Sequence, residues 1–290
     1  MRPLQNIIGV TADLEAYKKM KTRILTAAVL TPIMLLVLLA APEIVAAIIV
    51  GLLMAVGAYE LLFGTRLVRH PRMVLWSALM AFATTMWGYF DSIHAYAVIG
   101  MVVFVVLLFA EMMNDHVKVH FQMVGMCIMA GLVVPYLITA VIRILVMTRG
   151  RYLVLTPCVV AFLNDTGAYF IGKRFGKHKL APVVSPNKTI EGVAGGLIFA
   201  VVGMILYGVI LHALGFRINY FLAVLYGILG GGIGVFGDLC FSVIKRQTGI
   251  KDYGNLMPGH GGVMDRFDSM MTVAPVIEAL LILCPFAVVG

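Results

Sequence analysis

Long apolar runs alternate with short polar segments along most of the chain. Nine runs stand out, at roughly 24–41, 44–63, 73–90, 93–111, 122–147, 152–172, 193–214, 220–244 and 270–289. Each approaches the ~20 residues a helix needs to cross the hydrocarbon core of a bilayer. The runs are continuously apolar, without the every-second-residue alternation of a membrane barrel strand. Backbone groups in lipid must be satisfied internally, so the pattern predicts helices. The expected fold is all-α: a polytopic transmembrane helical protein of about nine spans, one helical body with no fixed-period repeat. Pro42 and Glu43 leave room only for a tight first hairpin. The chain divides into a polar N-terminal segment (1–23), N-terminal and middle transmembrane helices (24–147), and a C-terminal transmembrane region (148–290) with polar loops at 173–192 and 245–269.

Composition agrees with this pattern. Of the 290 residues, 61% are hydrophobic and 12% charged, against about a quarter charged in a soluble domain. Asp13, Glu15, Lys18, Lys19, Lys21 and Arg23 precede any long apolar run, so the first run is expected as a retained helix, not a cleaved signal. The net charge of +8 points to positive cytoplasmic loops near anionic lipid, not to nucleic acid. With the N-terminus placed in the cytoplasm, eighteen of the 22 Lys and Arg fall on inner segments. Arg143, Arg149, Arg151 and Arg217 fall outside. The first three of these fit least well: either the fifth run ends early, or they snorkel to outer headgroups. Cys127, Cys158, Cys240 and Cys284 are scattered through apolar segments. They read as small buried hydrophobes, with no zinc site or disulfide framework.

Charge inside a span is costly and needs a reason. Glu60, Asp165, Asp238 and Glu278 are the candidates. For Glu60 and Glu278, a packing role and a functional one stay equally open. Asp238 shares a helical face with the residues four and seven positions on, Ser242 and Lys245. Six glycines precede it (Gly227, Gly230, Gly231, Gly232, Gly234 and Gly237). They suit close helix approach, with room for a ligand or lipid as the alternative. The stretch from Lys251 to Ser269 adds Lys251, Asp252, His260, Asp265, Arg266 and Asp268 around a Gly-rich turn with Gly261 and Gly262. Backbone amides in such a turn can cradle phosphate oxygens. No Walker loop is present. Acids without clustered His or Cys suit a hard cation held by one or two carboxylates and substrate phosphates, and the basic residues would hold those phosphates. The loop after Asp165 holds Lys173, Arg174, Lys177 and Lys179, and then Ser185, Asn187, Lys188, Thr189 and Glu191. Positive-inside retention explains its lysines but not the cluster of small hydroxyls around Lys188.

These segments together resemble the phosphatidate cytidylyltransferase family, the CDP-diacylglycerol synthases. The family signature runs S-x-x-K-R-x4-K-D-x-G, then P-G-H-G-G, then D-R-x-D; here it reads "SVIKRQTGIKDYGNLMPGHGGVMDRFDS" from Ser242 to Ser269. A second feature, D-T-G-A-Y followed by S-P-x-K-T-x-E-G, matches from Asp165 to Gly192. Phe241, Tyr253 and Met257 depart from the common Glu, Ser and branched aliphatic residue. The resemblance implies transfer of CMP from CTP to phosphatidic acid, giving CDP-diacylglycerol and pyrophosphate. It implies catalytic roles for Asp238, Lys245, Asp265 and Asp268, with Mg²⁺ or Mn²⁺ on Asp238 and Asp265. Substrate contacts are expected from Asp165, Ser185, Lys188, Thr189, Glu191, Ser242, Arg246, Lys251, Asp252, His260, Gly261, Gly262 and Arg266. The implied partners are CTP, phosphatidic acid and membrane lipid, with no nucleic acid; a homodimer stays open. The implied location is a bacterial inner membrane, with the site facing the cytoplasm. Two alternatives stay beside this reading: a secondary transporter using intramembrane acids as ion sites, and a CTP-dependent lipid kinase.

Overall fold

The apolar runs fold as helices. The computed structural model describes residues 26, 28–257 and 261–289. The N-terminal segment 1–23 and the candidate His260 lie outside these. The helices are α1 (Ala28–Leu39), α2 (Glu43–Tyr59), α3 (Pro71–Tyr89), α4 (His94–Asn114), α5 (Phe121–Ile128), α6 (Val134–Ile138), α7 (Ala140–Val146), α8 (Gly150–Leu153), α9 (Leu155–Phe175), α10 (Ile190–Ala213), α11 (Tyr220–Gln247), α12 (Met264–Phe267) and α13 (Met270–Leu283). Two short antiparallel strand pairs join them: β1 (Lys179–Ala181) with β2 (Ser185–Thr189), and β3 (Phe216–Ile218) with β4 (Ala287–Val289). Among the described residues, six helical stretches are long and apolar enough to cross a membrane: Glu43–Gly64, His94–Asn114, Phe121–Val146, Gly150–Phe175, Ile190–Ala213 and Tyr220–Gln247. Large apolar side chains such as Ile99, Val102 and Val106 on α4 or Ile198 and Leu206 on α10 are exposed. Such a surface suits lipid and not water. The chain is a polytopic all-α membrane protein.

Glycine lets the helices that carry the site approach closely. α9 and α10 share the most extensive contact in the molecule; a Cβ on Gly195 would come 2.4 Å from Ile171. Of the six glycines on α11, Gly232 faces open space and the other five sit against neighbouring helices, so the packing reading holds for those five.

Three expectations change. The last apolar run is not helical to residue 289. α13 stops at Leu283, Cys284 before Pro285 leaves the helical region (φ −147°, ψ 73°), as the α conformation is disfavoured before proline, and the chain then enters β4. Loop 173–192 is largely ordered: α9 continues to Phe175, the β1–β2 hairpin follows, and α10 starts at Ile190. Two arginines of the cluster find partners within the protein. The fifth run ends at Val146, one residue from its expected end and not early, and Arg143 inside it forks onto Glu278 of α13, Nε and Nη2 donating at 2.5 and 2.7 Å. Its guanidinium lies 4.5 Å from the ring centroid of Tyr136. Arg151 donates to the carbonyls of Leu39 and Ala41 at the end of α1, at 3.2 and 2.9 Å. A half-buried cation and anion joined in this way neutralise each other among apolar helices. That assigns Glu278 to packing.

Candidate active site

The stripe on α11 forms as its spacing predicts. Ser242 Oγ donates to Asp238 Oδ1 at 3.3 Å, and Lys245 lies one turn further on. The β1–β2 hairpin brings a second lysine to the same acid: Lys188 Nζ is 2.6 Å from Asp238 Oδ2. Several residues expected to touch substrate also hold this hairpin. Thr189 caps α10, its Oγ1 accepting from Gly192 N at 3.1 Å. Glu191 accepts from the backbone N–H of Lys177 and of His178 and lies 2.6 Å from His178 Nδ1. Arg246 Nε donates to Val184 O at 3.0 Å, tying the hairpin to the end of α11. Ser185 starts β2, opposite Ala181.

Lys245 Nζ donates to Asp265 Oδ1 at 3.1 Å and lies 3.9 Å from Asp268 Oδ2. The other oxygen of Asp265 accepts from Tyr253 N at 2.8 Å and Gly262 N at 3.0 Å. The Gly262 amide therefore points inward, to a carboxylate, and not outward to a phosphate. Gly261 takes φ +85° in the turn, and its carbonyl accepts from Met257 N at 2.9 Å. Tyr253 fixes the start of the loop: its hydroxyl donates to Phe241 O at 3.0 Å. The two rings meet edge to face with centroids 5.7 Å apart, and Lys245 Nζ lies 5.4 Å from the Tyr253 centroid. Two of the three departures from the family pattern thus touch each other. Burial, reinforced by Asp265 and Asp268, pushes the Tyr253 phenol well above its ordinary range, so it acts as a neutral donor.

Asp268 reaches the group because α11 and α13 nearly touch at Gly237, where a Cβ would come 2.4 Å from Thr272 Oγ1 and 2.9 Å from Asp268 O. Burial, then the charge of Asp238, raises the Asp268 carboxyl to about 7; Lys245 opposes this and Asp165 adds to it. Asp165 on α9 also feels Lys188 and Arg266. Lys251, Asp252 and Arg266 are exposed around the rim. Among the described residues, no three His, Cys, Asp or Glu side chains form a closed metal site. Carboxylate oxygens are the donor type that a hard divalent cation takes. Asp165, Asp238 and Asp268 repel one another, and a cation held by one or two carboxylates and completed by phosphate oxygens relieves that repulsion. Glu60 also belongs to this region, since Met264 N donates to its Oε2 at 3.0 Å. The sequence signal for this was a charge inside a span, which left packing and function equally open.

The chain matches the cytidylyltransferase family over residues 21–284. It is 48% identical over 133 residues to the phosphatidate cytidylyltransferase of Staphylococcus haemolyticus (strain JCSC1435), covering 46% of this chain and 50% of that protein. The phosphatidate cytidylyltransferase of Staphylococcus aureus (strain COL) is 43% identical over 135 residues, 47% of this chain and 51% of that one. The chain spans about half the length of the curated relatives it matches. A family match that runs from before α1 to the end of α13 takes in every element that builds the acid and lysine cluster: the chain belongs to the cytidylyltransferase family.

Proposed function

We propose that this chain is a phosphatidate cytidylyltransferase, joining CTP and phosphatidic acid into CDP-diacylglycerol with release of pyrophosphate. One observation carries the reading: paired acids and lysines from α9, β2, α11 and α12 converge where apolar helices end. A lipid substrate stays in the bilayer while a nucleotide arrives from water, so a site for both belongs at such a boundary. The phosphate of phosphatidic acid attacks the α-phosphorus of CTP, and the bond from that phosphorus to the bridging oxygen of pyrophosphate breaks. A phosphate monoester has a second pKa of about 6, so near pH 7 it attacks without a strong protein base. His260 is accordingly a binding group in this reading.

Asp238 and Asp265 would hold Mg²⁺ or Mn²⁺, which supplies charge neutralisation on the triphosphate. Asp265 keeps Oδ2 on the loop and turns Oδ1 to the lysine side, the oxygen suited to that role. Lys188 and Lys245 neutralise acids until substrate arrives and are then close enough to turn to phosphate oxygens. Transfer of this kind rests on positioning and charge neutralisation. Arg246, Lys251 and Arg266 add positive charge at the rim. The finer topology belongs to the same proposal: nine spans, a cytoplasmic N-terminus and a site facing the cytoplasm of a bacterial inner membrane.

The deciding experiment gives purified protein phosphatidic acid, Mg²⁺ and CTP labelled separately in its α-phosphate and γ-phosphate. Label from the α-phosphate should enter lipid, and chelation should abolish it. Label from the γ-phosphate would identify a lipid kinase, and no labelled lipid from either would point to a transporter.

A further inference from the structure

The carboxylate of Glu60 lies at the far end of the molecule's sequence from the loop it touches. After Tyr59 the helical turn widens into a π-turn over Glu60–Gly64, a local insertion that recurs at functional sites. Glu60 is 4% exposed, and no lysine or arginine pairs with it among the described residues. Its hydrogen-bond partner is backbone: the N–H of Met264, a donor that the first turn of α12 leaves unbonded, with the N–H of Val263 beside it. The loop is shaped around it. A Cβ on Gly254 would come 2.3 Å from Glu60 Oε1, and one on Gly262 would come 2.4 Å from Oε2. On either side of Glu60 the contact continues, since a Cβ on Gly57 would meet Met264 Sδ at 2.7 Å and one on Gly64 would meet Tyr253 O at 2.4 Å. A packing role alone would be served by an apolar side chain, because a buried carboxylate is costly to desolvate.

We propose that Glu60 is a positioning residue for the reaction: it joins the chain at 252–257 to the chain at 261–268 in the register that presents Asp265 and Asp268 to Lys245. This rests on the cytidylyl-transfer reading only for its kinetic consequence.

The test combines amide hydrogen exchange with kinetics on the full-length purified chain. In Glu60→Ala, exchange across residues 252–257 and 261–266 should rise at least about tenfold while α9 and α10 stay protected. Turnover should fall at least about thirtyfold, with the KM for CTP changing less than about threefold. Glu60→Gln keeps an acceptor oxygen and should recover most of both losses. Gly262→Ala drives a methyl into the same carboxylate from the loop side and should reproduce Glu60→Ala; with Glu60→Gln it carries the comparison if Glu60→Ala fails to insert. Wild-type loop exchange in both Glu60→Ala and Gly262→Ala would overturn the proposal, as would exchange rising equally in every helix. Wild-type protein that makes no labelled lipid would refute the cytidylyl-transfer reading, and the exchange comparison would still decide whether Glu60 holds the loop.

Discussion

Two lysines come to this part of the site from different directions, Lys188 from β2 onto Asp238 and Lys245 from two helical turns further along α11. Asn at 238 keeps the shape and one acceptor oxygen. It removes the counter-charge from Lys188 and an anionic ligand from the proposed cation. Asn at 265 keeps a bond to the loop but removes the charge facing Lys245. Each variant should lose at least about 100-fold in turnover, roughly 2.7 kcal/mol on the barrier, measured as α-phosphate label entering lipid at saturating Mg²⁺. Glu43→Gln, at the start of α2 and away from the cluster, should retain full activity. Near-wild-type turnover in both Asp238→Asn and Asp265→Asn would place the chemistry elsewhere. The Asp238, Ser242 and Lys245 stripe was legible in the sequence because helical periodicity is a local property. The inward turn of the Gly262 amide was not, because its acceptor, Asp265, is recognisable only once the loop has closed.

Helices position these groups through contacts between residues far apart in sequence, and two of these make separable predictions. Replacing an exposed helical glycine by alanine normally stabilises by roughly 0.5–1 kcal/mol. At Gly232, which faces open space, alanine should leave activity unchanged. At Gly237 the added methyl meets Thr272 and the carbonyl of Asp268, so α11 must shift from α13 and carry Asp238 away from Asp268; activity should fall at least tenfold while the protein still purifies. Equal activity in the two variants would show that this approach does not set the site. The Arg143–Glu278 fork is the second case. Glu278→Ala leaves a guanidinium in an apolar setting without its partner, a loss of about 3–5 kcal/mol. It should appear as a marked drop in the heating temperature that detergent-solubilised protein survives. Arg143→Met combined with Glu278→Leu should restore most of it, whereas no recovery would mean that the pair does more than neutralise itself. Neither the fork nor the hairpin contacts of Thr189 and Glu191 could be read from spacing. The pair joins residues 135 positions apart, and a hydroxyl or carboxylate in a motif looks the same whether it caps a helix or binds a phosphate.

For the whole molecule the apolar runs were the most legible feature, because lipid forces each spanning segment to satisfy its own backbone. Their ends were less so where proline intervened, as at Pro285. Sidedness was read from charge alone: eighteen of 22 Lys and Arg on one set of segments is a strong bias under the positive-inside rule. The two segments richest in chemistry, the β1–β2 hairpin and the loop before α12, lie on that same set, so the proposed orientation and the proposed chemistry depend on each other. A site that uses CTP has to face the compartment that supplies it. Single cysteines provide the test in a background with Cys127, Cys158, Cys240 and Cys284 replaced. Val183→Cys, at an 87% exposed position between β1 and β2, and Asn255→Cys, exposed in the loop, should react with a membrane-impermeant maleimide only when the cytoplasmic face is opened. Thr148→Cys before α8 and Leu214→Cys after α10, both exposed, should react in intact cells. If all four label from the same side, an even number of crossings separates α8 from the hairpin and the nine-span arrangement is wrong. If the two pairs exchange sides, the spans stand but the site faces away from the cytoplasmic CTP pool, and the cytidylyl-transfer reading loses its substrate.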